Sequence, residues 1–238
     1  EFINRGGNLF VLGGPGRQEL MNPIIEQFGV RFMPGQLVQP TPLLQADLIQ
    51  AIPTDEGAAY WSNLDFIRKN EGCVAMPGCV GLEYTPTDGI TVVPLLSTDT
   101  TGCWNRIVAT DFVRDSVYYT PETGDQAGIF TTTLALTRNV NDLEQRVLIV
   151  GNTDFLSNGE FATGRREVRN FNGILKHAAF YWLSHEELPV NTEGDAPIDR
   201  KLYVSEAAME IWSIVFMVVI PVILALAGII IWVRRRGR

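Results

Sequence analysis

The sequence predicts an α/β domain with a mostly parallel sheet and flanking helices, followed by one C-terminal transmembrane helix. Three observations carry this. Residues 8–32 run strand, turn, helix, strand, an order characteristic of parallel sheets. Residues 146–150, RVLIV, read as the clearest central strand. Residues 211–233, IWSIVFMVVIPVILALAGIIIWV, carry no charge and run straight into Arg234, Arg235, Arg236, Gly237 and Arg238.

Residues 1–5 read as the end of a helix that Gly6 and Gly7 break. The run NLFVL at 8–12, bounded by glycines, is a buried strand, and GGPG at 13–16 is a turn. Leu20, Ile24, Ile25 and Phe28 fall at helical spacing over 18–28, with Gly29 as the residue that ends the helix. Residues 30–32 begin the next extended piece. From 33 to 53 prolines and polar residues predict an irregular connection, with one short helical turn in the apolar stretch 43–49. A short helix is expected over 59–68. Short strands are expected at 73–75, 90–93 and 107–109, and a further strand within 129–136. Residues 170–183 form an amphipathic helix with Phe171, Ile174, Leu175, Ala178, Ala179 and Leu183 on one face. The predicted organisation is a domain over 1–185, a polar linker and juxtamembrane segment over 186–210, a span over 211–233 and a basic tail over 234–238.

A helix of about 20 apolar residues crosses the hydrocarbon core of a bilayer. Trp212 and Trp232 sit near the two ends of the span, where indole rings favour the headgroup region. Arg234, Arg235 and Arg236 are expected on the cytoplasmic side, which puts the preceding residues outside the inner membrane. Pro221 is compatible with a span when neighbouring groups satisfy the freed carbonyl. The competing reading, a buried core helix, requires a soluble helix apolar all round for six turns. The chain begins with Glu1 and shows no signal peptide or second apolar span, so an upstream segment with an earlier span is expected.

Net charge is −8. Setting aside the four terminal arginines leaves 15 Lys+Arg against 27 Asp+Glu in residues 1–233, a balance of −12. That disfavours nucleic acid or an anionic membrane surface as a partner of the domain. Cys73, Cys79 and Cys103 are too few and too scattered, with two histidines, for a metal-ligand pattern, and no metal or cofactor is expected. Outside the cytoplasm one disulfide has the chance to form, with Cys73 to Cys79 the simplest pairing.

Three motifs invite chemistry. Gly13-Gly14-Pro15-Gly16-Arg17 sits between strand and helix, where a phosphate cradle would lie. It lacks the Gly-Lys-Ser/Thr ending of a nucleotide loop and reads as a glycine-rich turn. GNTDFLSN at 151–158 follows the best strand, where ligands bind in open α/β sheets. Asn152 and Asp154 are contact candidates there, together with Arg17. The plainer reading is that Thr153 or Asp154 caps local N–H groups. Pro77-Gly78-Cys79-Val80-Gly81 approximates a nucleophile elbow, but its first glycine is replaced by proline. A thiol hydrolase also needs a partner histidine, and His177 and His185 both lie on or beside one late helix.

Read together, EFINRGGNLFVLGGPGR at the start, LEQRVLIVGNTDFLSNGEF, NFNGILKHAAFYWLSHEE with Trp182-Leu183, the polar linker, the span and the arginine cluster resemble GldG-like proteins. These are gliding-motility-type auxiliary components of ABC transport systems. The resemblance implies a flavodoxin-like or amidotransferase-like fold without catalytic residues. It implies a non-enzymatic, membrane-anchored subunit in the bacterial inner membrane, its domain periplasmic. Its partners would be an ABC ATPase and a permease, separate or fused upstream, besides the lipid bilayer. The alternative class is a membrane-anchored periplasmic hydrolase of amidotransferase-like fold.

Overall fold

The computed structural model describes residues 1–42, 44–99, 102–112, 117–162, 168–187 and 211–236. The chain divides into two units, Glu1–Asn191 and Thr192–Arg238. In chain order the first holds β1 (Leu9–Leu12), α1 (Gln18–Ile25), β2 (Val30–Phe32), β3 (Gln36–Val38), β4 (Leu48–Pro53), α2 (Asp55–Tyr60) and α3 (Ser62–Lys69). There follow β5 (Val74–Pro77), β6 (Leu82–Tyr84), β7 (Ile90–Ser97), β8 (Trp104–Arg106), β9 (Gln126–Ala127), β10 (Thr131–Val140) and β11 (Leu143–Val150). The unit closes with α4 (Asn158–Ala162) and α5 (Asn172–Leu183).

The unit is mixed α/β, but the expectation of a mostly parallel sheet is not met. Eight strands join in the order β1-β11-β10-β7-β4-β5, with β6 also on β10 and β2 on β6. Among the described strands only β1 and β11 pair in parallel, with Leu12 opposite Val150. The neighbours β11–β10, β10–β7, β7–β4 and β4–β5 all pair antiparallel. The opening strand–turn–helix–strand does not make a parallel crossover, because β2 leaves β1 and pairs antiparallel with β6. A decisive reversal is the β10–β11 hairpin. Asn141 and Asp142 form its two-residue turn at φ 52° and 64°, and Val140 faces Leu143 across it. Two left-handed residues in succession give the turn whose twist matches paired strands, and Asn and Asp tolerate that conformation best after glycine.

The pleat sends alternate residues of the central strands into two cores. Leu148 and Val150 of β11, Ala135 of β10 and Phe10 of β1 pack with Trp61, Leu64, Leu175, Ala179 and Trp182 beneath α3 and α5. Val147 and Ile149, Leu134 and Leu136, and Val11 pack on the other face with Ile25, Phe28 and Phe32. This is why RVLIV carries no alternation, since both of its faces are covered.

Several local expectations shift. The connection expected over 33–53 contains β3 and β4, and in place of the helical turn expected over 43–49 the described residues 44–47 make a bridge and a turn that lead into β4, whose short apolar run does not distinguish strand from helix. The helix expected over 59–68 begins earlier and splits into α2 and α3 at Trp61, which is extended at φ −121° and ψ 120°. Thr54 caps α2, its Oγ1 accepting from Gly57 N at 2.8 Å. No strand forms over the expected 107–109; the three residues before it make β8, which joins β3 and β9 in a separate three-stranded sheet. Gly29 ends the first helical region at φ 72°, as its position predicts.

Among its described residues the second unit contains one helix long and apolar enough to cross a membrane, Ile211–Arg236. Its first part widens into a π turn over Val215–Val219, where Ile220 N donates to Val215 O, and α6 (Ile220–Arg236) continues it. Pro221 has no N–H to give Met217, and a π turn just before it is a recognised way to absorb that loss. Trp212 stacks on Phe216 at 5.8 Å, and the Arg236 guanidinium lies 4.5 Å over the Trp232 ring. Arg234 and Arg235 share that last turn. The linker expected over 186–210 lies outside the described residues from 188 onward, as do Gly237 and Arg238 of the tail.

Candidate functional site

The parallel pair β1–β11 places two loops side by side. Gly13 N donates to Val150 O at 2.8 Å, carrying the ladder one residue past β1. A Cβ on Gly14 would stand 4.0 Å from Thr153 Oγ1. The 13–17 turn and the 152–158 loop therefore meet at the carboxyl ends of these strands. Gly13 is needed here because a Cβ would overlap the Phe32 ring. Gly151 is needed because a Cβ would overlap the Val80 carbonyl, where Val80 N donates to Gly151 O at 2.8 Å.

The three residues singled out as contacts have different placements. Asn152 is 1% exposed, and its carboxamide is spent inside the chain. Its Nδ2 donates to the Pro77 and Gly78 carbonyls, and its Oδ1 accepts from Phe155 N at 2.7 Å. Asn152 thus provides the local cap that Thr153 or Asp154 was expected to provide, and it is a scaffold residue. Arg17 and Asp154 are exposed. Arg17 stands at the N-terminal end of α1, and Asp154 Oδ1 accepts from Thr153 Oγ1 at 3.3 Å. Beside the 13–17 turn lies a cavity of about 450 Å³, bounded by Pro15, Gly16, Gln18, Gln36, Arg106 and Phe112. The part-buried arginine that lines it is already paired: Arg106 bonds Asp125 at 2.8 Å, with the Asp125 side chain fully buried.

The thiols are placed against nucleophilic chemistry. Cys73, Cys79 and Cys103 are free and buried, so the Cys73–Cys79 disulfide is not formed. The two side chains belong to different apolar clusters, Cys73 with Leu48 and Ala75, Cys79 with Met76 and Leu37. Cys79 Sγ lies 3.9 Å from Met76 Sδ and 3.4 Å from the Val80 carbonyl. Burial pushes its pKa far above the ordinary thiol range and that of Cys73 to about 12, so neither supplies thiolate near neutral pH. His177 stacks on Tyr181 at 6.3 Å on α5, and His185 follows that helix at φ 53°. Among the described residues no cluster of three or more His, Cys, Asp or Glu is placed to hold a metal ion.

Sequence reasoning missed a set of asparagines that replace strand partners. Asn22 Oδ1 accepts from Phe32 N at 2.8 Å. Asn8 Oδ1 accepts from Arg146 N at 2.7 Å, and its Nδ2 donates to Leu183 O at 2.7 Å. Asn172 exchanges two bonds with the backbone of Ala75, each 2.8 Å, on the outer edge of β5. The available signal is an amide side chain beside an otherwise apolar run. That signal is weak, because asparagine is equally at home in exposed turns.

No family model, no curated protein and no solved structure matches this chain.

Proposed function

We propose that the protein is a non-enzymatic, membrane-anchored accessory subunit of an ABC-type transporter, working by contact outside the bacterial inner membrane. The observation that carries this reading is the pairing of one uncharged, arginine-terminated helix with a folded unit whose exposed loop charges, Arg17 and Asp154, lie on adjoining loops. Support also comes from the thiols. A buried, protonated Cys79 lined by Met76 and backbone offers no attacking group for the hydrolase alternative. The finer fold reading, a flavodoxin-like or amidotransferase-like ancestry, rests on the β1–β11 pair and its two carboxyl-end loops. In the orientation set by the basic tail, Arg234, Arg235 and Arg236 are cytoplasmic and the Glu1–Asn191 unit is periplasmic. The partners are then an ABC ATPase and a permease.

Affinity purification of the full-length protein from its native membrane tests this. Co-recovery of an ABC ATPase is the expected result, weakened when Arg17 and Asp154 are both changed to alanine. Recovery without any transporter subunit would overturn the reading.

A further inference from the structure

Two depressions share a wall on the surface made by α2, α3 and α5. One, of about 310 Å³, is bounded by Tyr60, Trp61, Asn63, Arg146, Tyr181 and Trp182, with Glu186 at its edge. The other, of about 440 Å³, runs on past Ser62 and Asn63 to Phe66, Ile174 and His177. We propose that this groove is a binding site for a neutral oligosaccharide, with pyranose rings lying on its aromatic faces.

The ring arrangement comes first. Tyr60 and Trp61 stack at 6.5 Å and 22°, and His177 and Tyr181 stack at 6.3 Å and 12°. Within each pair the rings lie nearly parallel, and Tyr60 and Tyr181 keep 40% and 42% of their surface exposed, so each has ring surface open to a ligand. Trp182 stands tilted against Trp61 at 5.6 Å and edge-on to Tyr60 at 6.3 Å, forming a wall. A pyranose has an apolar C–H face and a rim of hydroxyls, so it matches a ring platform edged by Asn63, Ser62 and Glu186.

Charge removes the competing ligand classes. A cation is disfavoured because the Arg146 guanidinium already lies 5.5 Å over the Trp182 ring. An anion gains little, because Arg146 bonds Glu144 at 2.6 Å and the Trp182 carbonyl at 2.8 Å. A lipid chain would bury these polar groups without partners. A docked protein needs a broad surface of about 800 Å², whereas these are two ring-sized hollows. Trp61 itself is 7% exposed and backs the first hollow from within the core, which leaves the exposed rings of Tyr60 and Tyr181 as the contact surface.

The inference stands apart from the transporter reading, and direct binding tests it alone. The full chain in lipid nanodiscs, free of glycoside detergents, is titrated calorimetrically with cellotetraose, chitotetraose and maltotetraose. Saturable binding of at least one is expected, with a Kd of about 0.1–1 mM. Tyr181→Ala and Tyr60→Ala should each weaken it about tenfold, while Tyr181→Phe, which keeps the ring, should retain most of it. No saturable heat with any of the three sugars overturns the proposal. So does undiminished binding by a Tyr181→Ala protein whose melting matches the wild type.

Discussion

Asn152 and Asn172 hold the two backbone groups of one residue. The Asn152 Oδ1 accepts from Phe155 N at 2.7 Å, and the Asn172 Nδ2 donates to the Phe155 carbonyl at 3.1 Å. Phe155 is fully buried between them. The first asparagine also ties the end of β11 to the turn after β5, and the second also pairs with Ala75 on β5. The loop that presents Asp154 is therefore pinned by two carboxamides, and this rigidity makes its exposed carboxylate a defined feature.

Replacing Asn172 by alanine should strand the Ala75 N–H, the Ala75 carbonyl and the Phe155 carbonyl together. Each buried orphan costs about 1–3 kcal/mol, so a loss of about 3 kcal/mol or more is expected. Urea unfolding of the 1–191 unit measures it. Asn172→Asp should also destabilise, because a carboxylate cannot donate to either carbonyl.

Asp125 predicts an acid-sensitive region. Burial raises its pKa, but bonds from Arg106 and the Thr120 N–H, with the Arg106 charge, outweigh burial and hold it below the ordinary carboxylate range. Its stabilising contribution is therefore complete above the unfolded value of about 3.9 and is lost as pH falls through the depressed folded value. Amide exchange around β8 and β9 should accelerate in that acid window. Asp125→Asn should flatten this dependence and, by leaving the part-buried Arg106 without its counter-charge, lower stability at neutral pH.

The thiols supply a direct test of burial. In the native protein at pH 8, Cys73 and Cys79 should resist iodoacetamide, since both are shielded and protonated. All three cysteines should react once the chain is unfolded in guanidinium. Rapid native alkylation of Cys79, read by mass spectrometry, would contradict the packing described above.

The anchor is tested by charge. Leu224→Arg together with Ile220→Arg puts two cations near the middle of Ile211–Arg236, each costing about 2.5–3.5 kcal/mol on insertion scales. The double variant should leave the membrane fraction on carbonate extraction, and the wild type should remain. Retention of the double variant would mean that something other than this helix holds the protein.

Much of this architecture is readable without coordinates where the signal is local. The span over 211–233, the strand RVLIV, the helix ending at Gly29 and the helix over 172–183 each depend on residues within a few turns of one another. The 13–17 turn and the 152–158 loop were likewise legible as loops that follow strongly apolar strands, but their meeting rests on the pairing of β1 with the remote β11. Strand direction was not. Whether β2 returns beside β1 or crosses to β6 depends on a partner some fifty residues away, and three-residue strands carry too little pattern to choose. The roles of Asn152 and Asn172 were hidden for the same reason, since their partners Pro77 and Ala75 are remote in sequence. The aromatic groove is the clearest case. Tyr60, Arg146 and Tyr181 belong to three separate segments, and only the packing of α2, α3 and α5 over β11 brings them to one surface. Sequence by itself determined the long apolar C-terminal helix and the strong elements, through hydrophobic periodicity and turn chemistry. Tertiary structure alone decided the pairing of strands and the making of surfaces, because those depend on contacts that no local pattern encodes.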